Sequence, residues 1–199
     1  MKIVSIHQPN FFPWLGYFNK ILTSDIFIFL DDVQLPKKGG TWSNRVKIVT
    51  NNSEKWLTAE LDRKYSGVRT IRESFFNNPS DWKLRCFDIL NLNYKNHPFF
   101  SETIDFVEPL LVNDENNVAE YNIQNNLLIL DYLNIKNTKM CTSSSLNHKD
   151  TSNELLCSLV AAVGGDAYQC GGGADGYQDE EIFHKNGIKL KYQDFIHPS

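Results

Sequence analysis

Hydrophobic and polar positions at the start of the chain follow a strand–helix–strand pattern. Residues 2–6 alternate and are rich in β-branched side chains, which predicts a first strand. Residues 14–22 carry apolar side chains at helical spacing. Residues 26–30 form an unbroken apolar run, typical of a strand that is buried on both faces. Together these segments predict a βαβ unit with two parallel strands.

The remainder of the chain divides into a hairpin, a helical middle and a second α/β stretch. Further strands are predicted at residues 42–49, 55–61, 68–75, 138–142, 166–170 and 188–195, the first two joined as a hairpin through 51–53. Further helices are predicted at residues 81–92, 101–112, 118–135, 151–163 (with a capping box at 151–154) and 177–185. We therefore expect one three-layered α/β domain over residues 1–199, with a mainly parallel sheet and a helical insertion at about 79–136.

The composition fits a packed domain that does not bind nucleic acid. Of the 199 residues, 41% are hydrophobic and 22% are charged, which is enough apolar surface for a core. The formal net charge of -4 gives no basic footprint for nucleic acid. No secretory signal is visible and no apolar run could span a bilayer, so we expect a cytoplasmic protein. The four scattered cysteines, without a CxxC pair, are expected to be free thiols.

Polar side chains are concentrated in the turn between the first strand and the first helix. In open α/β sheets, ligands bind at the carboxyl ends of the strands, and a helix N-terminus there favours anions. This turn therefore suits a phosphorylated or sugar ligand. The predicted catalytic residues here are His7 and Lys20, and the predicted substrate-binding residues are Gln8, Asn10, Trp14, Gly16 and Tyr17. The alternative is that the apolar side chains of the helix are core and that His7 only ends the strand.

Two adjacent acidic residues, Asp31 and Asp32, follow the second predicted strand. Two hard oxygen ligands at a strand end suit Mg²⁺, and Asp32 could instead act as a catalytic residue that orients an amine. Adjacent side chains of a strand point to opposite faces, so we expect only one of the two to face the site. The alternative is a solvated, turn-forming pair.

A basic and aromatic group follows, in which Lys38, Trp42, Asn44 and Arg45 are predicted to bind substrate. Arginine can hold a phosphate through two parallel hydrogen bonds, and tryptophan can stack on a base or a sugar. The alternative is a solvated surface turn.

Near the C-terminus, a predicted strand is followed at once by a glycine turn. Gly171, Gly172 and Gly173 could expose backbone N–H groups that bind phosphate, and Tyr177 follows them. The turn lacks the Gly-Lys-Ser/Thr of a Walker loop, so a purely conformational role is the alternative. His197 ends the last predicted strand and is a further candidate for substrate binding.

The chain contains five segments in a characteristic order: IHQPNFFPWLGYFNKI, DIFIFLDDVQ, WSNRVKI, AYQCGGGADGY and NGIKLKYQDFIHP. Together they resemble the WbqC-like protein family over nearly the whole chain, and the first segment is the most specific. The resemblance implies a role in O-antigen or lipopolysaccharide biosynthesis, with transfer of an amino acid such as glycine onto a sugar. It also implies that relatives continue beyond the final His-Pro, so that a C-terminal part of the site is expected outside this chain.

The order of elements is similar to that of nucleotidylyltransferase-like folds, an analogy at the level of the fold alone. Those enzymes place an HxGH motif at the start of the helix after strand one, where this chain has Trp14-Leu15-Gly16-Tyr17. Gly16 would permit the close approach of a nucleotide. Both histidines of the motif are absent, so their role would pass to His7, Lys20 or Lys38.

These observations predict an acyl or aminoacyl transferase, or an ATP-dependent amide-forming enzyme, that modifies an amino group of a nucleotide-linked sugar. The predicted partners are that sugar and a small acyl donor, and the predicted cofactors are a nucleotide and Mg²⁺. His7 would act as a general base or would hydrogen-bond the nucleophile. The alternative is a non-catalytic module that binds a nucleotide-sugar or a glycan within a biosynthetic complex.

Overall fold

The structure is a computed structural model that describes residues 1–171 and 178–197. The chain forms two compact units. Unit 1 comprises Met1–Gln8, Pro13–Asp31 and Leu130–Ser199, and unit 2 comprises Pro9–Phe12 and Asp32–Ile129. The single domain with a helical insertion stays a prediction.

Secondary structure in the described residues alternates as the sequence pattern indicates. The strands are β1 (Ile3–His7), β2 (Ile26–Phe29), β3 (Arg45–Thr50), β4 (Ser53–Thr58), β5 (Lys139–Thr142), β6 (Ala167–Cys170) and β7 (Lys189–Tyr192). The α-helices are α1 (Leu15–Leu22), α2 (Pro79–Tyr94), α3 (Phe100–Leu111), α4 (Val118–Tyr132), α5 (Ser152–Ala162) and α6 (Glu180–Lys185). Across these described ranges, no helix combines the length and the apolar character that a membrane span requires.

The sheet of unit 1 has the order β5-β2-β1-β6-β7, and every pair of neighbouring strands in it is parallel. This confirms the predicted α/β class with a mainly parallel sheet. β1 and β2 pair from Val4 opposite Ile26 to His7 opposite Phe29, with α1 between them in the chain. The predicted βαβ unit is therefore present, whereas the three-layer arrangement stays a prediction.

The core of unit 1 lies on this sheet. Three successive residues of β2, from Phe27 to Phe29, are buried, as expected for a strand inside a parallel sheet. On α1, Tyr17, Phe18 and Ile21 are buried, and their spacing forms one apolar face of the helix. Trp14, Leu15 and Leu22 are exposed, so only part of the apolar pattern of residues 14–22 reflects the face that packs in the core.

Unit 2 contains the antiparallel hairpin of β3 and β4. Asn51 and Asn52, at the turn, both have positive φ angles of 49° and 58°. Two-residue hairpin turns that match the strand twist need this conformation at both positions, and asparagine tolerates it. The core of the unit is aromatic, with Phe11 and Tyr121 stacked at 6.1 Å and Trp82 against both.

Two local predictions were wrong. Residues 68–75 do not form a strand: Ile71–Glu73 is a 3-10 helix, and Phe75 makes only an isolated bridge with Asn117. The capping box does not form at Thr151, whose side chain makes no capping hydrogen bond. It forms instead at Thr70 and Glu73, because the Glu73 carboxylate accepts from the Thr70 backbone N–H at 2.9 Å.

Candidate functional site

Chain order reverses in the middle of the sheet of unit 1. From β1 the chain continues to β2 and β5 on one side, and later adds β6 and β7 on the other side. In open α/β sheets, ligands bind outside the carboxyl ends of the strands at such a reversal. Those ends are formed here by His7, Gln8, Cys170 and Gly171, which we call the switch-point edge.

The ring of His7 is oriented by the backbone of its neighbour. Its Nδ1 lies 3.1 Å from the carbonyl oxygen of Gln8. Because a carbonyl oxygen only accepts, we assign the hydrogen of the neutral ring to Nδ1 and the lone pair to Nε2. The pKa of His7 is lowered to about 4, chiefly by burial and then by the charge of Lys20, while the Gln8 hydrogen bond opposes both. The ring is therefore neutral at pH 7, and Nε2 can accept a hydrogen bond or a proton.

Tyr17 of α1 packs on one side of this imidazole. The two rings meet edge to face, with centroids 5.0 Å apart. The buried Tyr17 hydroxyl donates to the Gln8 carbonyl oxygen at 3.2 Å, which is the same oxygen that faces His7 Nδ1. The structure thus brings together three of the predicted residues, His7, Gln8 and Tyr17.

Lys20 lies three positions further along α1, and therefore on the same helix face as Tyr17. It is only 3% exposed, and its Nζ donates to the carbonyl oxygen of Ile6 at 3.0 Å. Burial lowers the pKa of Lys20 to about 8, while the side chain of Cys170 acts in the opposite direction. The amine is therefore mostly protonated at pH 7, and its charge is buried beside the switch-point edge.

Gln193, which follows β7, is joined to α1. Its Nε2 donates to the carbonyl oxygen of Gly16 at 2.7 Å and to Oδ1 of Asn19 at 2.9 Å. Sequence reasoning missed Gln193, because these partners lie 177 and 174 positions away along the chain.

Trp14, Phe195 and His197 form an aromatic group at the start of α1. The Trp14 centroid lies 5.6 Å from that of Phe195 and 5.4 Å from that of His197. A Cβ built on Gly16 would lie 2.0 Å from Cζ3 of Trp14. The indole of Trp14 therefore occupies the space next to Gly16 that the sequence suggested for a nucleotide.

The glycine turn begins at the switch-point edge. Gly171 directly follows β6, in the position that the sequence predicted, and it is half-buried. Gly172, Gly173 and Tyr177 lie outside the described residues. Their role in phosphate binding stays a prediction.

Asp31 is held by the serines that follow β5. Its Oδ1 accepts from the Ser143 hydroxyl and from the Ser144 backbone N–H, each at 3.0 Å. Its Oδ2 accepts from the Ser144 hydroxyl at 2.6 Å. Both oxygens of this buried carboxylate are therefore engaged within unit 1, which fits a structural role better than a metal ligand.

Asp32 belongs to unit 2 and is half-buried. Within residues 1–171 and 178–197, no three His, Cys, Asp or Glu side chains are grouped as a metal site would require. The assignment of Mg²⁺ to Asp31 and Asp32 stays a prediction.

Two predicted asparagines, Asn10 and Asn44, are buried in unit 2. The Asn44 Oδ1 accepts from the Thr41 backbone N–H and its Nδ2 donates to the Ala59 carbonyl oxygen, both at 2.9 Å. Asn44 therefore holds the turn that precedes β3. The Asn10 carbonyl oxygen accepts from Asn126 Nδ2 at 3.3 Å, while Asn10 Oδ1 is buried without a partner among the described residues.

Among the other predicted residues of unit 2, Lys38 and Trp42 are exposed and Arg45 is half-buried. Trp42 is 48% exposed, and the Arg45 guanidinium lies 4.0 Å above the ring of Trp56. Sequence reasoning missed Trp56, although the predicted hairpin placed it across from the strand that carries Arg45. The register of the hairpin was the signal that could have identified it.

Comparison with known proteins gives one family and one relative. The WbqC-like protein family model matches residues 8–199 of this chain. The chain is 31% identical over 196 residues to "Uncharacterized protein Rv1507c" of Mycobacterium tuberculosis (strain ATCC 25618 / H37Rv), covering 98% of this chain and 83% of that protein. No solved structure matches the chain.

Proposed function

We propose a catalytic function for this chain, which belongs to the WbqC-like protein family. In this proposal it is a transferase of bacterial surface-glycan biosynthesis. It moves an acyl group, such as a glycyl or another aminoacyl group, onto an amino group of a nucleotide-linked sugar. The reaction takes place in the cytoplasm, at the switch-point edge of unit 1.

The observation that carries this proposal is the state of His7. A neutral imidazole with Nδ1–H directed at the Gln8 carbonyl oxygen presents an Nε2 lone pair. The sugar amine attacks the carbonyl carbon of an activated acyl donor, and the new C–N bond makes the nitrogen positively charged. His7 Nε2 then takes a proton from that nitrogen, and the bond from carbon to the leaving group breaks. A weak base can serve in this transfer, because the positively charged nitrogen of the adduct is more acidic than a free ammonium ion.

Lys20 supplies the positive charge of the proposed site. Its pKa of about 8 keeps the amine mostly protonated at pH 7, although it is buried. A fixed charge in a poorly hydrated place stabilises negative charge that develops on the acyl oxygen or that is carried by a phosphate. Gly171 would contribute its backbone N–H to the same anion. Phosphate binding by Lys38 and Arg45, which belong to unit 2, stays a separate prediction.

The same observation supports a second candidate, a non-catalytic module that binds a nucleotide-sugar or a glycan. With a pKa of about 4, His7 is a weak proton acceptor, yet it remains a good hydrogen-bond acceptor at neutral pH. A binding module would use Nε2 to recognise an amine or a hydroxyl group without transferring a proton. The two candidates differ in whether turnover exists.

The test begins with a thermal-shift screen of nucleotide-linked amino sugars and of ATP, each with and without Mg²⁺. A ligand at about a hundred times its Kd should raise the free energy of unfolding by about 2.7 kcal/mol. Sugars that bind are then incubated with radiolabelled glycine and ATP, or with glycyl thioesters, and the product is identified by mass spectrometry. Formation of an N-glycyl nucleotide-sugar supports the transferase.

The matched variants are His7→Asn and His184→Asn. Asparagine at position 7 can still donate to the Gln8 carbonyl oxygen but has no Nε2, and His184 is exposed on α6. We expect His7→Asn to lower turnover by at least about a hundredfold while substrate affinity stays within about tenfold. Unchanged turnover in His7→Asn would overturn the general-base role. Binding without turnover under any of these conditions would favour the binding module.

A further inference from the structure

The hairpin of unit 2 has one buried face and one accessible face. Val46 and Leu57 are opposite each other in the register and belong to the face that packs on the aromatic core. Lys47 and Trp56 form the next pair and, because side chains alternate along a strand, point the other way. Arg45, two positions before Lys47, is on this outer face as well.

Arg45 is fixed in place on this outer face. Its guanidinium lies 4.0 Å from the centre of the Trp56 ring. Gly40 packs closely against it, since a Cβ at Gly40 would lie 2.6 Å from Arg45 Cδ and 2.7 Å from Arg45 Nε. The position of the cation is therefore determined before any ligand arrives.

The hydrogen-bonding capacity of Arg45 is not used within the described part of the chain. Its Nε is buried and lacks a hydrogen-bond partner. Lys47, its neighbour on the same face, is paired with Glu54 at 2.5 Å, whereas no described carboxylate forms an ion pair with Arg45. A guanidinium nitrogen without an acceptor inside the protein is satisfied by water or by a ligand.

Trp42 completes the surface. Its ring centroid lies 5.2 Å from that of Trp56 with an interplanar angle of 65°, so the two indoles meet at an angle. Trp42 is 48% exposed and Trp56 is 40% exposed. We call Trp42, Arg45 and Trp56 the tryptophan corner.

A cross-strand cation–π pair by itself can serve the stability of a hairpin. That role explains the contact of Arg45 with Trp56. It explains neither the second exposed indole nor the unpartnered Arg45 Nε. An aromatic face with a polar group beside it is the arrangement that favours a ligand with an apolar side and a polar end.

We propose that the tryptophan corner binds an anionic saccharide. The C–H face of a pyranose ring packs on an exposed indole, and a carboxylate or phosphate on that ring accepts hydrogen bonds from the Arg45 guanidinium, whose planar fork suits either group. This binding site does not depend on the acyl transfer proposed for unit 1. It requires neither turnover nor His7.

The experiment follows the four indole N–H signals in ¹H–¹⁵N correlation spectra of the full chain. The probes are trigalacturonate, glucose 1-phosphate and the neutral trisaccharide maltotriose, each added to about 20 mM, which detects a Kd in the millimolar range. We expect saturable shifts of the Trp42 and Trp56 signals with the anionic probes. Trp14, which is exposed but in unit 1, and Trp82, which is fully buried, are internal controls.

Three variants separate the two halves of the site. Trp56→Ala should abolish the shifts of Trp42, and Arg45→Gln should weaken binding of the anionic probes at least about tenfold while leaving weak maltotriose binding unchanged. Lys47→Gln, which removes the neighbouring paired charge, should change the affinity less than about threefold. The spectra themselves report whether each variant is folded.

The proposal is overturned if no probe shifts Trp42 and Trp56, or if Trp14 shifts equally. It is also overturned if a folded Arg45→Gln variant binds the anionic probes as tightly as the natural chain. Comparison of trigalacturonate with glucose 1-phosphate shows whether a carboxylate or a phosphate is the preferred anion. Binding retained in His7→Asn separates this site from the proposed catalytic one.

Discussion

The Nζ of Lys20 donates a hydrogen bond to the carbonyl oxygen of Ile6 across 3.0 Å. This contact holds the amine in a buried position, and burial lowers the pKa of Lys20 from 10.5 to about 8. Between these values the unfolded chain binds more protons than the folded one, so this group makes the free energy of unfolding rise with pH. We expect its contribution to increase by about 2–3 kcal/mol from pH 7 to pH 10.

Urea denaturation at both pH values measures this contribution. Lys20→Met is the reference, because the effects of the other titrating groups cancel when the two proteins are compared. Lys38→Met, at an exposed lysine, is the matched control and should retain the pH dependence. A difference between the natural chain and Lys20→Met that stays constant from pH 7 to pH 10 would contradict the buried state of the amine.

His7 is predicted to affect the free energy of unfolding at acidic pH. Its pKa is lowered from 6.5 to about 4, first by burial and second by the charge of Lys20. The unfolded chain therefore binds more protons between pH 6.5 and pH 4, and the folded state loses stability as the pH falls through this window. We expect a loss of about 3 kcal/mol at pH 4 relative to His7→Asn, which cannot titrate. Equal acid sensitivity of the two proteins in urea denaturation would show that His7 is not buried in its neutral form.

Asp31 is predicted to contribute to stability through Ser143 and Ser144. In Asp31→Asn, an NH₂ group replaces one of the two carboxylate oxygens that accept hydrogen bonds from Ser143 and Ser144. The donors of the amide then face the donors of the serines in a buried place. We expect the free energy of unfolding to fall by about 2–4 kcal/mol. The exposed Asp105→Asn should change it by less than about 0.5 kcal/mol. A Mg²⁺-dependent melting temperature that is lost only in Asp31→Asn would support the metal site instead.

Gly16 and Trp14 are predicted to be energetically coupled. A methyl group at position 16 would overlap the indole, so Gly16→Ala should cost about 1–3 kcal/mol in the natural chain. The same change in a Trp14→Ala background should cost much less, because the clashing ring is absent. A double-mutant cycle by chemical denaturation measures the difference. Additive effects would mean that Trp14 does not rest beside Gly16.

Much of the fold could be predicted because periodicity reflects local backbone geometry. The alternation of residues 2–6 corresponds to β1, since a strand repeats every two residues. The apolar run of 26–30 corresponds to β2, a strand that is buried inside the parallel sheet. The Asn51-Asn52 pair predicted the hairpin because the turn needs positive φ angles there. The strand predicted at 68–75 was wrong. A short apolar pattern does not show whether a neighbouring strand is available for pairing.

The sequence identified those candidate-site residues that lie on one strand and the helix that follows it. His7, Gln8, Tyr17 and Lys20 are close in sequence, and the end of a strand followed by a helix brings them together. Gln193 and Trp56 were missed. Their importance comes from partners in other segments, which no local pattern records.

The sequence by itself determined which segments are strands and helices, and that the chain is an α/β protein of this family. It also placed polar residues at the end of the first strand. Only the tertiary structure decided the order of the strands, the engagement of Asp31 by Ser143 across 112 positions, and the burial of Lys20. The physical reason is that periodicity is set by the dihedral angles of neighbouring residues, whereas hydrogen-bond partners and pKa values depend on groups that folding brings close in space.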